Sequence, residues 1–83
     1  MKARVFVTLK KSVLDPQGKA IHSALDSMGF HTVGDVRCGK MIEVSFKPGM
    51  KPDAAADHLK NMCEKLLANT VIEDYRWEID PSS

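Results

Sequence analysis

"TVGDVRC" (residues 32–38) and "KMIEVSF" (residues 40–46) meet around Cys38-Gly39-Lys40, and how this stretch is read decides the fold. Both runs read as short extended segments. A glycine-containing link this short between two strand-like runs predicts an antiparallel hairpin, with Ile42, Val44 and Phe46 sharing one face. The stretch thereby supplies two of four expected strands.

Working towards the N-terminus, "ARVFVTLK" (residues 3–10) alternates with period two. Val5, Val7 and Leu9 fall on one face and Arg4, Phe6, Thr8 and Lys10 on the other, the pattern of a strand. From Pro16 the period changes to that of a helix, with Ala20, Ile21, Ala24, Leu25 and Met28 recurring until Gly29, a natural stop. Asp15 reads as its N-cap and Pro16 as its first helical residue, where the missing N–H costs nothing. Gly18 is harder to place. In a first helical turn glycine costs about 0.5 to 1 kcal/mol relative to alanine, so either another backbone packs close there, that of a partner or a second copy being one candidate, or a ligand does, or the cost is tolerated.

Towards the C-terminus, "KPGMKP" (residues 47–52) is a loop, and Asp53 reads as the cap of a second helix. Ala55, Leu59, Met62, Cys63, Leu66 and Leu67 form its apolar stripe, with Asn69 as a left-handed terminator. "TVIEDYRWEI" (residues 70–79) is rich in β-branched and aromatic residues and reads as the last strand. Residues 1–80 are expected to be a single domain and residues 81–83 a frayed tail.

The predicted order is β-α-β-β-α-β. With right-handed crossovers it gives an α+β, ferredoxin-like sandwich, a four-stranded antiparallel sheet with both helices on one face. The uncovered face is expected to carry Phe6, Met41 and part of the Tyr75/Trp77/Ile79 set among Arg4, Glu43 and Ser45, and to pair with another subunit.

Composition narrows the function. The 83 residues bear a net charge of +1 with both signs dispersed, which offers no field for a nucleic-acid backbone or an anionic membrane. A chain this short buries only about 60 to 65% of its unfolded surface, so its core is thin. No apolar run is long enough to cross a bilayer or to act as a signal core, so the expected location is the cytoplasm, with Cys38 and Cys63 reduced. His22, His31, His58 and the two cysteines show no metal-ligand spacing, no phosphate loop is present, and Cys63 sits mid-helix on the apolar stripe with nothing to activate it. Arg37 and Lys40, with Lys10 and Lys11, lie at loop ends where they could hold an anion or a partner's carboxylate. Tyr75 and Trp77 suit an interface better than a base-stacking platform. No catalytic residue and no metal ligand is expected.

Three blocks, "VLDPQG" (residues 13–18), "DVRCGK" (35–40) and "CEKLLANTVIEDYRWEI" (63–79), resemble the PurS family, the small subunit of phosphoribosylformylglycinamidine synthase. The matching positions are Leu14, Asp15, Pro16, Gln17 and Gly18; Asp35, Arg37, Gly39 and Lys40; and Asn69, Thr70, Glu73, Asp74, Tyr75 and Arg76. The resemblance implies a non-catalytic assembly subunit of a glutamine-dependent ligase acting at the fourth step of purine synthesis. Its implied partners are a glutaminase and a large synthetase, with further copies of the chain as homodimer or homotetramer, and the ATP and magnesium are used by the complex. Asp15, Gln17, Gly18, Arg37, Lys40, Asp74, Tyr75, Arg76 and Trp77 are the candidate interface residues. Trp77, the Pro- and Ala-rich connector "FKPGMKPDAAADHLK" (residues 46–60) and Cys38 depart from the usual family pattern. A free-standing ferredoxin-like regulatory module that binds a small ligand is the competing reading.

Overall fold

The first residues form the middle of the sheet. In the computed structural model, which describes residues 1–82, β1 (Lys2–Leu9) pairs antiparallel with both β2 (Gly39–Ser45) and β3 (Glu73–Asp80), in the order β2-β1-β3. Val5 lies opposite Ile42 on one side and Trp77 on the other. The period-two pattern of β1 is realised as expected: Ala3, Val5 and Val7 are at most 1% exposed, whereas Arg4 and Thr8 point to solvent.

The helix α2 (Pro52–Met62) covers the Ala3/Val5/Val7 face with Ala55 and Leu59. Its cap is Lys51 rather than Asp53, because Pro52 takes the first helical position. Asp53 lies in the first turn instead, where a carboxylate complements the helix dipole. At its end the helix widens into a π-turn, Cys63–Leu67, closed by Ala68 N–H donating to the Cys63 carbonyl at 3.1 Å. One extra residue per turn keeps both Cys63 and Ala68 buried and rotates Leu66 outward to 83% exposure. Leu66 therefore leaves the predicted stripe. Asn69 is not left-handed; its side chain accepts the Val71 N–H, and its amide donates to Glu73 Oε1, which closes the turn into β3.

Among the described residues three strands are observed rather than four. Residues 32–38 form no strand, because their backbone groups bond to side chains of the preceding segment: the Val33 carbonyl to His22, and the Cys38 amide to Asp15. There is accordingly no hairpin around Gly39, and the ferredoxin-like four-stranded sandwich is replaced by a three-stranded antiparallel sheet with two helices.

The helices also do not share a face. α1 (Pro16–Ser27) contributes nothing to the buried core, and Gly18 is its one buried residue. It projects with residues 28–38 as an arm. The radius of gyration is 16.2 Å and the extents are 51 × 28 × 14 Å, whereas a compact chain of this length has a radius of about 12 Å.

The uncovered face of the sheet carries Phe6, Met41, Arg4, Glu43 and Ser45 as expected, joined by Asp74, Arg76 and Glu78. Tyr75, Trp77 and Ile79 all lie on the opposite face and pack against the core. The register fixes this, since Tyr75 and Trp77 oppose Val7 and Val5. Ser82 bonds to the Asp80 side chain, and Ser83, the last residue of the expected tail, lies outside the described residues.

Candidate functional site: the base of the α1 arm

The candidate residues fall into two groups. Asp15, Gly18 and Arg37, far apart in sequence, meet where α1 leaves the sheet. Asp15 is 4% exposed and bridges two segments: Oδ1 accepts the Gly18 N–H at 3.0 Å, and Oδ2 accepts the Cys38 N–H at 2.6 Å. It is thus an N-cap and a tertiary link at once. These two amides, with Arg37 nearby, hold the carboxyl below its ordinary 3.8, against the opposing effect of burial.

Arg37 Nη2 donates to the carbonyls of Lys10 at 2.6 Å and Val13 at 3.0 Å, so its guanidinium staples the loop between β1 and α1. Gly18 has an intrachain reason. A Cβ there would collide with the Val36 carbonyl of the same chain, so the close approach expected from a partner is already made by residues 35–38. Arg37 Nη2, considered for an anion, is instead engaged by the carbonyls of Lys10 and Val13.

The second group sits on β3, divided between its faces. Arg76 lies over the Phe6 ring at 4.2 Å and pairs with Glu78 at 3.0 Å on the open face. On the other face Tyr75 and Trp77 stack with centroids 6.0 Å apart, and the Tyr75 hydroxyl donates to Glu64 at 3.0 Å. Burial, and then the bond to Glu64 and its charge, raise the Tyr75 pKa. Asp74 is exposed on the open face, Lys40 is exposed at the start of β2, and Gln17 is exposed in the first turn of α1.

The sequence pattern did not mark the exposed apolar residues of the arm as uncovered. Leu14, Ile21, Met28 and Phe30 on the arm are 66%, 42%, 71% and 54% exposed. The helical periodicity marks a stripe but cannot say which chain covers it. Leu66 in the π-turn, and Val71 and Ile72 just before β3, are exposed as well.

Chemistry is sparse. Among the described residues no group of three or more His, Cys, Asp or Glu is placed to hold a metal. Cys63 is buried, and burial followed by the nearby Glu64 charge pushes its thiol upward, away from nucleophilic reactivity. No helix among the described residues is long and apolar enough to cross a membrane.

Residues 2–81 match the family described as PurS, phosphoribosylformylglycinamidine (FGAM) synthase. The chain is 56% identical over 80 residues to the phosphoribosylformylglycinamidine synthase subunit PurS of Bacillus subtilis, covering 95% of this chain and 92% of that one. Among solved structures it superposes on Methanocaldococcus jannaschii PurS, one of the subunits of formylglycinamide ribonucleotide amidotransferase in the purine biosynthetic pathway. The TM-score is 0.83 at 39% identity, over 95% of this chain and 94% of that one. It also superposes on a chain of the PurLQS structure from Thermotoga maritima, with a TM-score of 0.74 at 28% identity over 93% of each chain. The extended arm and the three-stranded sheet thus belong to a chain of the PurS family.

Proposed function

We propose that the chain is the non-catalytic assembly subunit of phosphoribosylformylglycinamidine synthase, the glutamine-dependent ligase of purine biosynthesis, and that it joins a glutaminase subunit to a large synthetase subunit. One observation carries the reading beyond family membership: α1 presents an apolar stripe that its own sheet does not cover. Ile42, Val44 and Phe46 on the helix-bearing face of the sheet are only half-buried. Each chain therefore exposes both halves of a helix-on-sheet contact, which supports a homodimer or homotetramer in which α1 of one copy covers the sheet of another.

The chemistry gives such a subunit a purpose. Ammonia released into water becomes ammonium and no longer attacks, so a glutaminase must be docked closely against the synthetase. Gln17, Lys40, Asp74 and Arg76, all exposed, are the proposed contacts to these partners. ATP and magnesium are assigned to the synthetase, and the assembly to the cytoplasm.

Reconstitution tests this. Glutaminase and synthetase subunits with glutamine, ATP and magnesium are assayed for amidine formation with and without the chain, and again with ammonium salt in place of glutamine. Glutamine-driven turnover is expected to require the chain and ammonia-driven turnover to be largely independent of it. Equal glutamine-driven rates in its presence and absence would reject the role.

A further inference from the structure

We propose that Asp15 and Arg37 form a hinge lock that holds α1 away from its own sheet, leaving the arm available to a second copy. The inference rests on the self-associating reading above, and asks why the arm does not simply fold back.

Chain length does not prevent closure. Residues 10–15 and 28–38 connect α1 to the sheet, and six extended residues reach about 20 Å, beyond the 8–10 Å at which helices pack. Closure onto the same chain is intramolecular, with an effective concentration on the order of millimolar for short flexible connections. A free arm would therefore close in preference to meeting another chain at micromolar concentration. Something must hold it out.

The two connections are fastened to each other. Arg37 and Cys38, which lead into β2, bond to Lys10, Val13 and Asp15, which lead out of β1. Val13 N–H also donates to the Lys10 carbonyl at 2.9 Å, so the loop held by Arg37 is itself a closed turn. Asp15 simultaneously caps α1 through Gly18, and the missing Cβ of Gly18 lets the Val36 carbonyl lie against the first turn. One turn further on, His22 bonds to the Val33 carbonyl at 2.9 Å. The direction of α1 is set by these bonds at its base, with no loose joint between helix and strand. Short, constrained hinges are the setting in which elements exchange between copies.

The test uses Arg37→Gln, Asp15→Asn and the double variant of the full chain, with far-UV circular dichroism to confirm the fold. Sedimentation gives the dissociation constant and X-ray scattering gives the radius of gyration. The double variant is expected to weaken self-association at least tenfold and to yield a monomer whose radius approaches about 12 Å. A dissociation constant within twofold of wild type, with an unchanged radius, overturns the lock. If the double variant does not fold, Arg37→Lys, which keeps the cation but not the planar donor, is read by the same criteria. A wild-type chain that stays monomeric at every concentration would reject the self-associating reading instead. The lock is then judged by scattering alone, supported if the variants compact and overturned if they do not.

Discussion

Asp15 and Cys38, 23 positions apart, are joined by a 2.6 Å bond from the Cys38 amide to a carboxylate oxygen whose partner oxygen caps α1. Both oxygens are used, which makes the position sensitive to charge and to protonation. The folded carboxyl titrates below its unfolded value of 3.8, so the folded state binds fewer protons than the unfolded one and the ionised carboxylate stabilises the native state above that pH. This contribution is lost as pH falls from 3.8 through the folded value. Urea midpoints are expected to drop on acidification through this window. Asp15→Asn, with one acceptor oxygen for two N–H donors, is expected to lower the midpoint at pH 7, with the gap to wild type narrowing below pH 3.8. A constant gap across that range would exclude Asp15 as the titrating group.

Gly18→Ala should destabilise the chain although alanine is the better helix former by about 1 kcal/mol. The added Cβ meets a backbone carbonyl, that of Val36, which cannot rotate aside. Overpacking of this kind typically costs about 1–3 kcal/mol, so a fall in thermal midpoint is expected. A rise would show that residues 35–38 do not pack on the helix.

The π-turn separates two leucines that look alike in sequence. Leu59 is 0% exposed and Leu66 is 83% exposed. Leu59→Ala is expected to cost about 2–5 kcal/mol by chemical denaturation, and Leu66→Ala to stay within about 0.5 kcal/mol in the isolated chain. Similar losses at both sites would mean that α2 continues as a regular helix past Cys63.

Ile21→Glu and Met28→Glu place charges on the exposed arm stripe. Neither side chain touches the core, so far-UV circular dichroism should be unchanged while sedimentation reports a lower mass. Glutamine-driven turnover of the reconstituted complex should fall with it. Unchanged mass would place the self-contact on another surface.

Much of this architecture is legible from local pattern. β1, α1 and α2 follow from their periods, and Gly29 stops α1 with a φ of 96° as its position suggests. The misread stretch is 32–38. Val33 and Val36 are three apart rather than two, a spacing that suits neither face of a strand, and the groups that satisfy this backbone belong to Asp15 and His22. Pattern alone does not reveal such side-chain partners. The last strand shows a related limit: alternation separates Tyr75, Trp77 and Ile79 from Asp74, Arg76 and Glu78, but only pairing with β1 decides which set faces inward. At the candidate site, Gly18 stands out as an anomaly before its cause is visible. The exposed stripe of α1 is ordinary by sequence and acquires meaning only from the surface it fails to meet.

The placement of β1 at the middle of the sheet shapes how the chain folds. Lys2 pairs with both Ser45 and Asp80, so the strand made earliest waits for the one made last before its second edge is closed. Until then "VFVTL" (residues 5–9), dense in β-branched and aromatic residues, offers an open edge to any neighbouring strand. Contacts of such long sequence separation slow folding. Loss of the residues that form β3 should therefore leave the product prone to aggregation, because the exposed edge belongs to the strand on which everything else is laid.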